Sequence, residues 1–224
     1  MIYHTVAFSR SGSSYLHSFC RSYHIINNEK VITLGELFLS THYIDNENIA
    51  YDHSGHINGM DVANKIEFLK RYPNRYSFKF IPYTIPEEHR PEVLEYLNTH
   101  NLLTIRRDPF DMFLSHIYQE KTEWKEVHGA TKPLLNKLVI NLKDIKDFLD
   151  LWNLNKNFID SCNIHHTFEY EDLDRQLFDF FKVENLYPGI KKMEPMQIDY
   201  KSLLVDYELI KETFQAEMKS YLSV

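Results

Sequence analysis

Hydrophobic and polar positions follow two different periods along the chain, and each change of period marks a predicted element. Short apolar runs of strand length, bounded by turn residues, alternate with segments whose apolar residues recur every three or four positions. The predicted strands cover residues 2–8, 30–34, 76–81, 102–106 and 164–168. Strands that alternate with helices predict an α/β fold in three layers, with a mostly parallel central sheet between helices.

Helical spacing is clearest where apolar residues line one face, as at Val62, Ile66 and Leu69. The predicted helices cover residues 13–23, 62–69, 87–99, 108–127, 145–152, 173–181 and 203–218. Asp108 and Pro109 favour a helix start, because an Asp side chain caps free N–H groups and proline fits the first helical position. The polar residues between about 41 and 58 predict a loop.

The bulk composition predicts a single folded domain over residues 1–224, since the chain has no repeat or linker. Hydrophobic residues make up 43% and charged residues 25%, which is too apolar for disorder, and no run is long enough to span a membrane. The first residues lack the pattern of a secretory signal, and the cysteines are Cys20 and Cys162. Two thiols without a pattern indicate a reducing compartment, so we expect a cytoplasmic protein.

The net charge of −7 argues against general binding to nucleic acid or to anionic membranes. A site for an anion must therefore be local.

The stretch AFSRSGSSYLHSF, residues 7–19, is the first candidate for such a site. A helix that begins directly after a strand presents unpaired N–H groups and the positive end of its dipole. Gly12 lets the backbone approach an anion, the neighbouring serines add small donors, and Arg10 adds a guanidinium group suited to phosphate or sulfate. The alternative is that Ser13 or Ser14 only caps the helix and that Arg10 is a surface residue. The stretch lacks the second glycine and the lysine of a nucleoside-triphosphatase loop.

A second stretch, TIRRDPFDMFLSH, gives the first one a more specific interpretation. SRSGSSYL resembles the 5′-phosphosulfate loop of the sulfotransferases, and the second stretch resembles their 3′-phosphate motif, in which a serine follows a strand-end arginine after eight positions. Arg107 and Ser115 have this separation. TFEYEDL, residues 167–173, resembles a later strand-to-helix turn of the same family. The resemblance lies in three patches spread over about 170 residues.

The resemblance implies the sulfotransferase fold and the donor 3′-phosphoadenosine 5′-phosphosulfate, without a metal. It implies that Arg10 follows the bridging oxygen as charge builds there, which makes Arg10 the first catalytic candidate. Arg107 and Ser115 would hold the 3′-phosphate. The residues whose N–H groups would surround the 5′-phosphate are Ser11, Gly12, Ser13 and Ser14.

The second stretch also has a purely structural interpretation. Its apolar side chains would then pack in a core behind a capped helix, and Arg107 would pair with a carboxylate. Arg106 should point to the opposite face of the strand from Arg107, where it is either a second phosphate ligand or, as we favour, a salt-bridge partner.

The acceptor hydroxyl must lose a proton, so a general base is expected. Cytosolic family members carry K-x-H after a middle strand, whereas SFKFIP has Lys79 followed by Ile81 in the histidine position. Other members carry a glutamate base in a G-E segment, and TLGELF places Glu36 similarly, so Glu36 is the second catalytic candidate. The alternative for Glu36 is a capping or exposed residue at a helix start. Lys79 either reaches the sulfate or lies in solvent.

The remaining candidates have weaker patterns. His53 and His56 lack a third metal ligand at a telling spacing, which disfavours a metal site. Lys191 and Lys192 lie where the family uses a late basic segment on the 3′-phosphate. Three aromatic residues are candidates either for an acceptor pocket or for the core: Tyr43, Tyr51 and Trp124.

The sequence therefore predicts a sulfotransferase that acts on a hydroxyl of a small molecule, a carbohydrate or a lipid. It leaves the acceptor and the oligomeric state open. Two alternatives remain: a non-catalytic nucleotide-binding or partner-binding protein of the same fold, and an ATP-dependent small-molecule kinase, which the missing P-loop lysine disfavours.

Overall fold

The computed structural model describes residues 2–27, 29–36, 61–72, 75–122, 137–183 and 198–222. The chain divides into two compact units. The first unit, here called the sheet unit, comprises Met1–Arg106 and Asn155–Met193. The second, here called the helical unit, comprises Arg107–Leu154 and Glu194–Val224.

The sheet unit contains five parallel strands in the order β2-β3-β1-β4-β5. Their bounds are β1 Tyr3–Val6, β2 Ile32–Glu36, β3 Tyr76–Phe80, β4 Asn101–Arg106 and β5 Ile164–Glu169. The all-parallel sheet confirms the predicted α/β class. Each predicted strand is present, although β2 lies two residues later than the sequence predicted.

The helices begin close to the predicted positions. Their bounds are α1 Ser13–Ile26, α2 Val62–Arg71, α3 Arg90–Leu97, α4 Pro109–Thr122, α5 Leu142–Asp160, α6 Leu173–Phe181, α7 Tyr200–Leu203 and α8 Tyr207–Leu222. Two predictions need correction. Residues 87–89 form a separate 3₁₀ turn before α3, and Leu203 belongs to the short helix α7 and not to the last helix.

Apolar side chains cover both faces of the sheet, as expected for parallel strands. On one face, Phe78 and Phe80 of β3 pack with residues of α2, α3 and the end of α5. On the other face, Leu103 and Ile105 of β4 pack with α1 and α6. The sheet therefore lies between two helical layers.

The helical unit has an aromatic core of its own. The Phe113 ring lies 5.1 Å from that of Phe214 in α8 and 5.4 Å from that of Phe148 in α5. An isolated parallel bridge joins Leu138 to Leu204.

The two cysteine thiols are free and buried. Burial raises the pKa of both Cys20 and Cys162 to about 12, so neither is a reactive thiolate near neutral pH. In the part of the chain that the structure describes, no helix is long and apolar enough to cross a membrane. The same residues contain no cluster of three or more potential metal ligands.

His4 in β1 is a buried histidine next to other rings. It is 1% exposed, and its ring lies 4.2 Å from that of Phe78 and 4.7 Å from that of His100. Among the described residues neither ring nitrogen of His4 has a hydrogen-bond partner. Burial, and secondarily the nearby histidines His100, His17 and His24, hold the pKa of His4 well below its ordinary value.

This burial predicts that acid destabilises the protein. Below pH 6.5 the unfolded chain binds a proton at His4 that the folded chain does not bind. The contribution of His4 to the free energy of unfolding is therefore complete above pH 6.5. Below that pH it decreases by about 1.4 kcal/mol per pH unit for one such group. The His4→Phe variant should lose that part of the slope in urea unfolding measured from pH 7.5 to 5.5. His165→Gln, at an exposed position, is the control, and an unchanged slope for His4→Phe would refute the assignment.

Candidate anion-binding site

The loop after β1 leaves the sheet at its topological switch point. The chain places β3 and β2 on one side of β1 and places β4 and β5 on the other. Ala7 continues the ladder by donating its N–H to the carbonyl of Phe80, at 3.1 Å, and residues 8–12 then turn into α1. Ligands of parallel sheets bind beyond the carboxyl ends of the strands at such a point.

Gly12 forms the start of α1. It is the N-cap residue with φ 89° and ψ 11°, and none of the side chains that the structure describes caps the helix there. The intrahelical bonds begin where Tyr15 and Leu16 donate their N–H groups to the Gly12 carbonyl, at 2.9 and 3.2 Å. A left-handed residue followed by a helix directs successive N–H groups into a concavity that suits an anion. The alternative in which a serine side chain merely caps this helix is therefore wrong.

The three serines of the loop have different environments. Ser11 is fully buried and donates its hydroxyl to the Phe8 carbonyl at 2.8 Å, so this side chain stabilises the turn itself. Ser13 is 5% exposed and Ser14 is exposed, both in the first turn of α1. Of the three, only Ser14 therefore offers an accessible hydroxyl.

Lys79 of β3 reaches the start of α1. Its ammonium donates to the Ser14 hydroxyl over 3.0 Å, and the residue is only 8% exposed. The alternative that placed Lys79 in solvent is wrong. The ammonium of Lys79 and the positive end of the α1 dipole therefore lie close together, and both favour an anion at this point.

The third sequence patch packs directly on Gly12. A methyl group added to Gly12 would lie 3.0 Å from Cε2 of Tyr170 and 3.3 Å from a methyl carbon of Leu173. Tyr170 lies in the turn between β5 and α6. The structure therefore brings the first and third patches into contact.

Arg10 has an unusual backbone conformation. Its φ is +64°, and it is half-buried. Residues other than glycine are destabilised in a left-handed backbone conformation. Such strain is found most often at functional sites. Arginine at this position therefore carries backbone strain that glycine would not carry.

Glu36 is the last residue of β2, and its Cα pairs with that of Lys79 in the neighbouring strand. The alternative of a capping or exposed residue at a helix start depends on residues 37–60, which lie outside the described ones. The backbone of this candidate base lies beside that of the lysine whose side chain contacts the loop.

The second motif belongs mainly to the helical unit. The Asp108 carboxylate accepts the N–H groups of Phe110 and Asp111, at 2.8 and 3.1 Å, which confirms the predicted cap of α4. Arg107 directly follows β4 and is half-buried, whereas Ser115 in α4 is 4% exposed. Ser115 follows Asp108 by seven residues, close to two helical turns, so both lie on the same side of the helix.

Arg106 is a salt-bridge partner, as we favoured. Its guanidinium lies 3.0 Å from the carboxylate of Glu169, and both side chains are largely exposed. This pair joins the carboxyl ends of β4 and β5.

The remaining candidates lie outside the described residues. They are Tyr43, Tyr51, His53, His56, Trp124, Lys191 and Lys192. Sequence reasoning missed the contact between Tyr170 and Gly12, although TFEYEDL was noted as a patch. It also left the burial of Lys79 undecided, because the sequence around a lysine at a strand end does not show which distant residue it contacts.

Comparison with known proteins gives no family: no protein-family model matches the chain, and no curated protein matches its sequence. The functional assignment therefore rests on the chemistry of the loop and on the three sequence patches.

Proposed function

We propose that the protein transfers a sulfuryl group from 3′-phosphoadenosine 5′-phosphosulfate to a hydroxyl group of a small molecule, a carbohydrate or a lipid. The observation that carries the proposal is the buried Lys79 ammonium at the glycine-started N-terminus of α1, 3.0 Å from Ser14. Two cationic side chains, Arg10 and Lys79, come from this loop and the adjacent strand. Such a site suits a ligand with more than one negative group.

In the proposed reaction the acceptor oxygen attacks sulfur, and the bond between sulfur and the bridging oxygen breaks. The acceptor proton passes to the Glu36 carboxylate, and the electron pair of the broken bond stays on the 5′-phosphate. Arg10 stabilises this developing charge, which is larger in the transition state than in the ground state. The products are the sulfate ester and 3′-phosphoadenosine 5′-phosphate.

Arg107 and Ser115 are proposed to bind the 3′-phosphate of the donor. This assignment rests on their eight-residue separation and on the resemblance of the surrounding motif. A buried serine hydroxyl and a guanidinium group are both good phosphate donors.

Calorimetry with 3′-phosphoadenosine 5′-phosphate tests the donor assignment. We expect binding without metal, and weaker binding of ATP with Mg²⁺. Arg107→Ala should lower the affinity for the bisphosphate by about tenfold or more, because a charge-assisted contact contributes about 1.5–3 kcal/mol. The same variant should hardly change the affinity for adenosine 5′-phosphate. Ser115→Ala should do the same to a smaller extent.

Arg106→Ala is the matched control, since Arg106 pairs with Glu169. It should leave the affinity for the bisphosphate within about twofold, as expected for an exposed ion pair. Equal or better binding of Mg-ATP would contradict the sulfotransferase assignment and favour a kinase. Tight bisphosphate binding without transfer of sulfate to any hydroxyl compound or to water would favour a non-catalytic protein.

A further inference from the structure

The last residue of β5 is held by a side chain of the helix that follows it. Oε1 of Gln176 in α6 accepts the N–H of Glu169 at 3.1 Å, and Nε2 of the same amide donates to the Glu169 carbonyl at 3.4 Å. β5 is the edge strand of the described sheet, and an edge strand presents unpaired N–H and C=O groups. One amide side chain therefore provides a partner for both backbone groups of Glu169.

This strand end leads directly into the turn that packs on the anion loop. The residues after Glu169 form a 3₁₀ turn and then α6. The Tyr170 ring and a methyl carbon of Leu173 lie 3.0 and 3.3 Å from the position that a Cβ atom of Gly12 would occupy. Leu173 and Gln176 are three residues apart, so they are neighbours on one side of α6. The same side of this helix thus lies at the start of α1 and fixes the end of β5.

We propose that Gln176 is a positioning residue of the donor site, because by fixing the end of β5 it holds the Tyr170 ring against Gly12. The inference rests on the proposed sulfuryl transfer, which needs the N–H groups of this loop in place around the 5′-phosphate. A glycine restricts its own backbone less than any other residue does. Gly12, with φ at +89°, is therefore the point of the loop where a contact from outside has the largest effect.

The other contact at this strand end is the weaker one. The guanidinium of Arg106 lies 3.0 Å from the Glu169 carboxylate, but both side chains are largely exposed. Exposed ion pairs contribute little to stability, and this pair holds the end of a side chain. Gln176 is half-buried and holds the backbone itself, so it determines the path of the chain into Tyr170.

Amide hydrogen exchange measured by NMR tests this role without any ligand. Tyr15 and Leu16 donate their N–H groups to the Gly12 carbonyl, so their exchange rates report on the opening of the first turn of α1. Gln176→Met removes both hydrogen bonds at a similar side-chain length. We expect it to raise the two rates about three- to tenfold, as for the loss of about one neutral hydrogen bond. Unchanged rates in this variant would overturn the proposal.

Asn98→Leu is the matched control, because Asn98 makes the same pair of contacts just before β5. Its Oδ1 accepts the N–H of Asn163 at 2.6 Å, and its Nδ2 donates to the Ser161 carbonyl at 3.4 Å. This variant should lower the free energy of unfolding in urea about as much as Gln176→Met does, and should leave the two exchange rates within about twofold of the wild type. Equal acceleration in both variants would mean that the rates follow overall stability, which contradicts a positioning role.

A double-mutant cycle with Tyr170→Ala, measured by calorimetry, tests the route of the effect. Gln176→Met alone should lower the affinity for 3′-phosphoadenosine 5′-phosphate about three- to tenfold. In the Tyr170→Ala background the same substitution should change the affinity by less than about twofold, because the ring that Gln176 positions is gone. Equal losses in the two backgrounds would show that Gln176 does not act through Tyr170.

The two proposals fail in different ways. If the wild-type protein does not bind the bisphosphate, the proposed function is wrong whatever the amide exchange shows. If the Gln176→Met variant binds the bisphosphate as tightly as the wild type does, the positioning role is wrong and the donor assignment stands.

Discussion

Replacing Arg10 with alanine is expected to lower the rate of sulfuryl transfer by about 10²–10³-fold, the range seen when one preorganised donor to a developing negative charge is removed. Release of labelled sulfate from the donor to water gives this rate. The affinity for 3′-phosphoadenosine 5′-phosphate should fall much less, because this product lacks the sulfur–oxygen bond that breaks. A loss confined to kcat is the signature of a contact made mainly in the transition state.

Arg10→Gly separates catalysis from stability. With φ at +64°, any side chain at this position costs about 1–2 kcal/mol of backbone strain, and glycine relieves that strain. The glycine variant should therefore match the alanine variant in its lost activity but exceed it in the free energy of unfolding by about 1 kcal/mol. Urea unfolding of both variants measures the difference.

Two results would contradict this assignment. Transfer that stays near the wild-type rate in both variants would mean that Arg10 does not act on the bridging oxygen. Equal stability of the two variants would mean that the left-handed backbone at Arg10 carries no strain.

The fold was largely predictable because the strongest signals are local. Apolar runs such as 102–106 and helix starts such as Asp108 with Pro109 act over a few residues, and both are found where predicted. The order of the strands is not local. No sequence period indicates that β1 lies between β3 and β4, because that depends on how the helices pack on the two faces.

The candidate site was predictable in its parts and not in its contacts. Gly12 and the serines were predicted from their position after a strand. The hydrogen bond from Ser11 to the Phe8 carbonyl was not predictable, because each serine of the loop carries the same hydroxyl and the sequence does not show which one bonds to the turn. Lys79 donates a hydrogen bond to Ser14, 65 residues away in sequence. Pairs at such separations follow from the tertiary arrangement and leave no local pattern.

Glu36 illustrates the same limit at the scale of one residue. The pattern predicted a strand over residues 30–34 and left Glu36 beyond it, whereas β2 extends to Glu36. Period-two reasoning assumes a regular ladder, whereas the pairing of β2 with β3 is irregular between Thr33 and Glu36.

Gly12→Ala should lower the free energy of unfolding by about 2 kcal/mol or more, combining the strain of a positive φ with overpacking. The φ of +89° disfavours any side chain, and the added methyl would lie 3.0 Å from the Tyr170 ring. Because the ring or the loop must move, affinity for the bisphosphate should also fall. Urea unfolding and calorimetry measure the two effects.

A double-mutant cycle with Tyr170→Ala divides the loss between its two causes. In the Tyr170→Ala background the closest contact of the added methyl is removed and the Leu173 methyl carbon at 3.3 Å remains, so most of the remaining cost, about 1–2 kcal/mol, should come from the backbone conformation. Ser18→Ala, in the second turn of α1, controls for a general sensitivity of this helix and should change the affinity for the bisphosphate little. If the cost of Gly12→Ala is the same in both backgrounds, the Tyr170 contact does not limit the loop, and the left-handed backbone alone explains why glycine begins this helix.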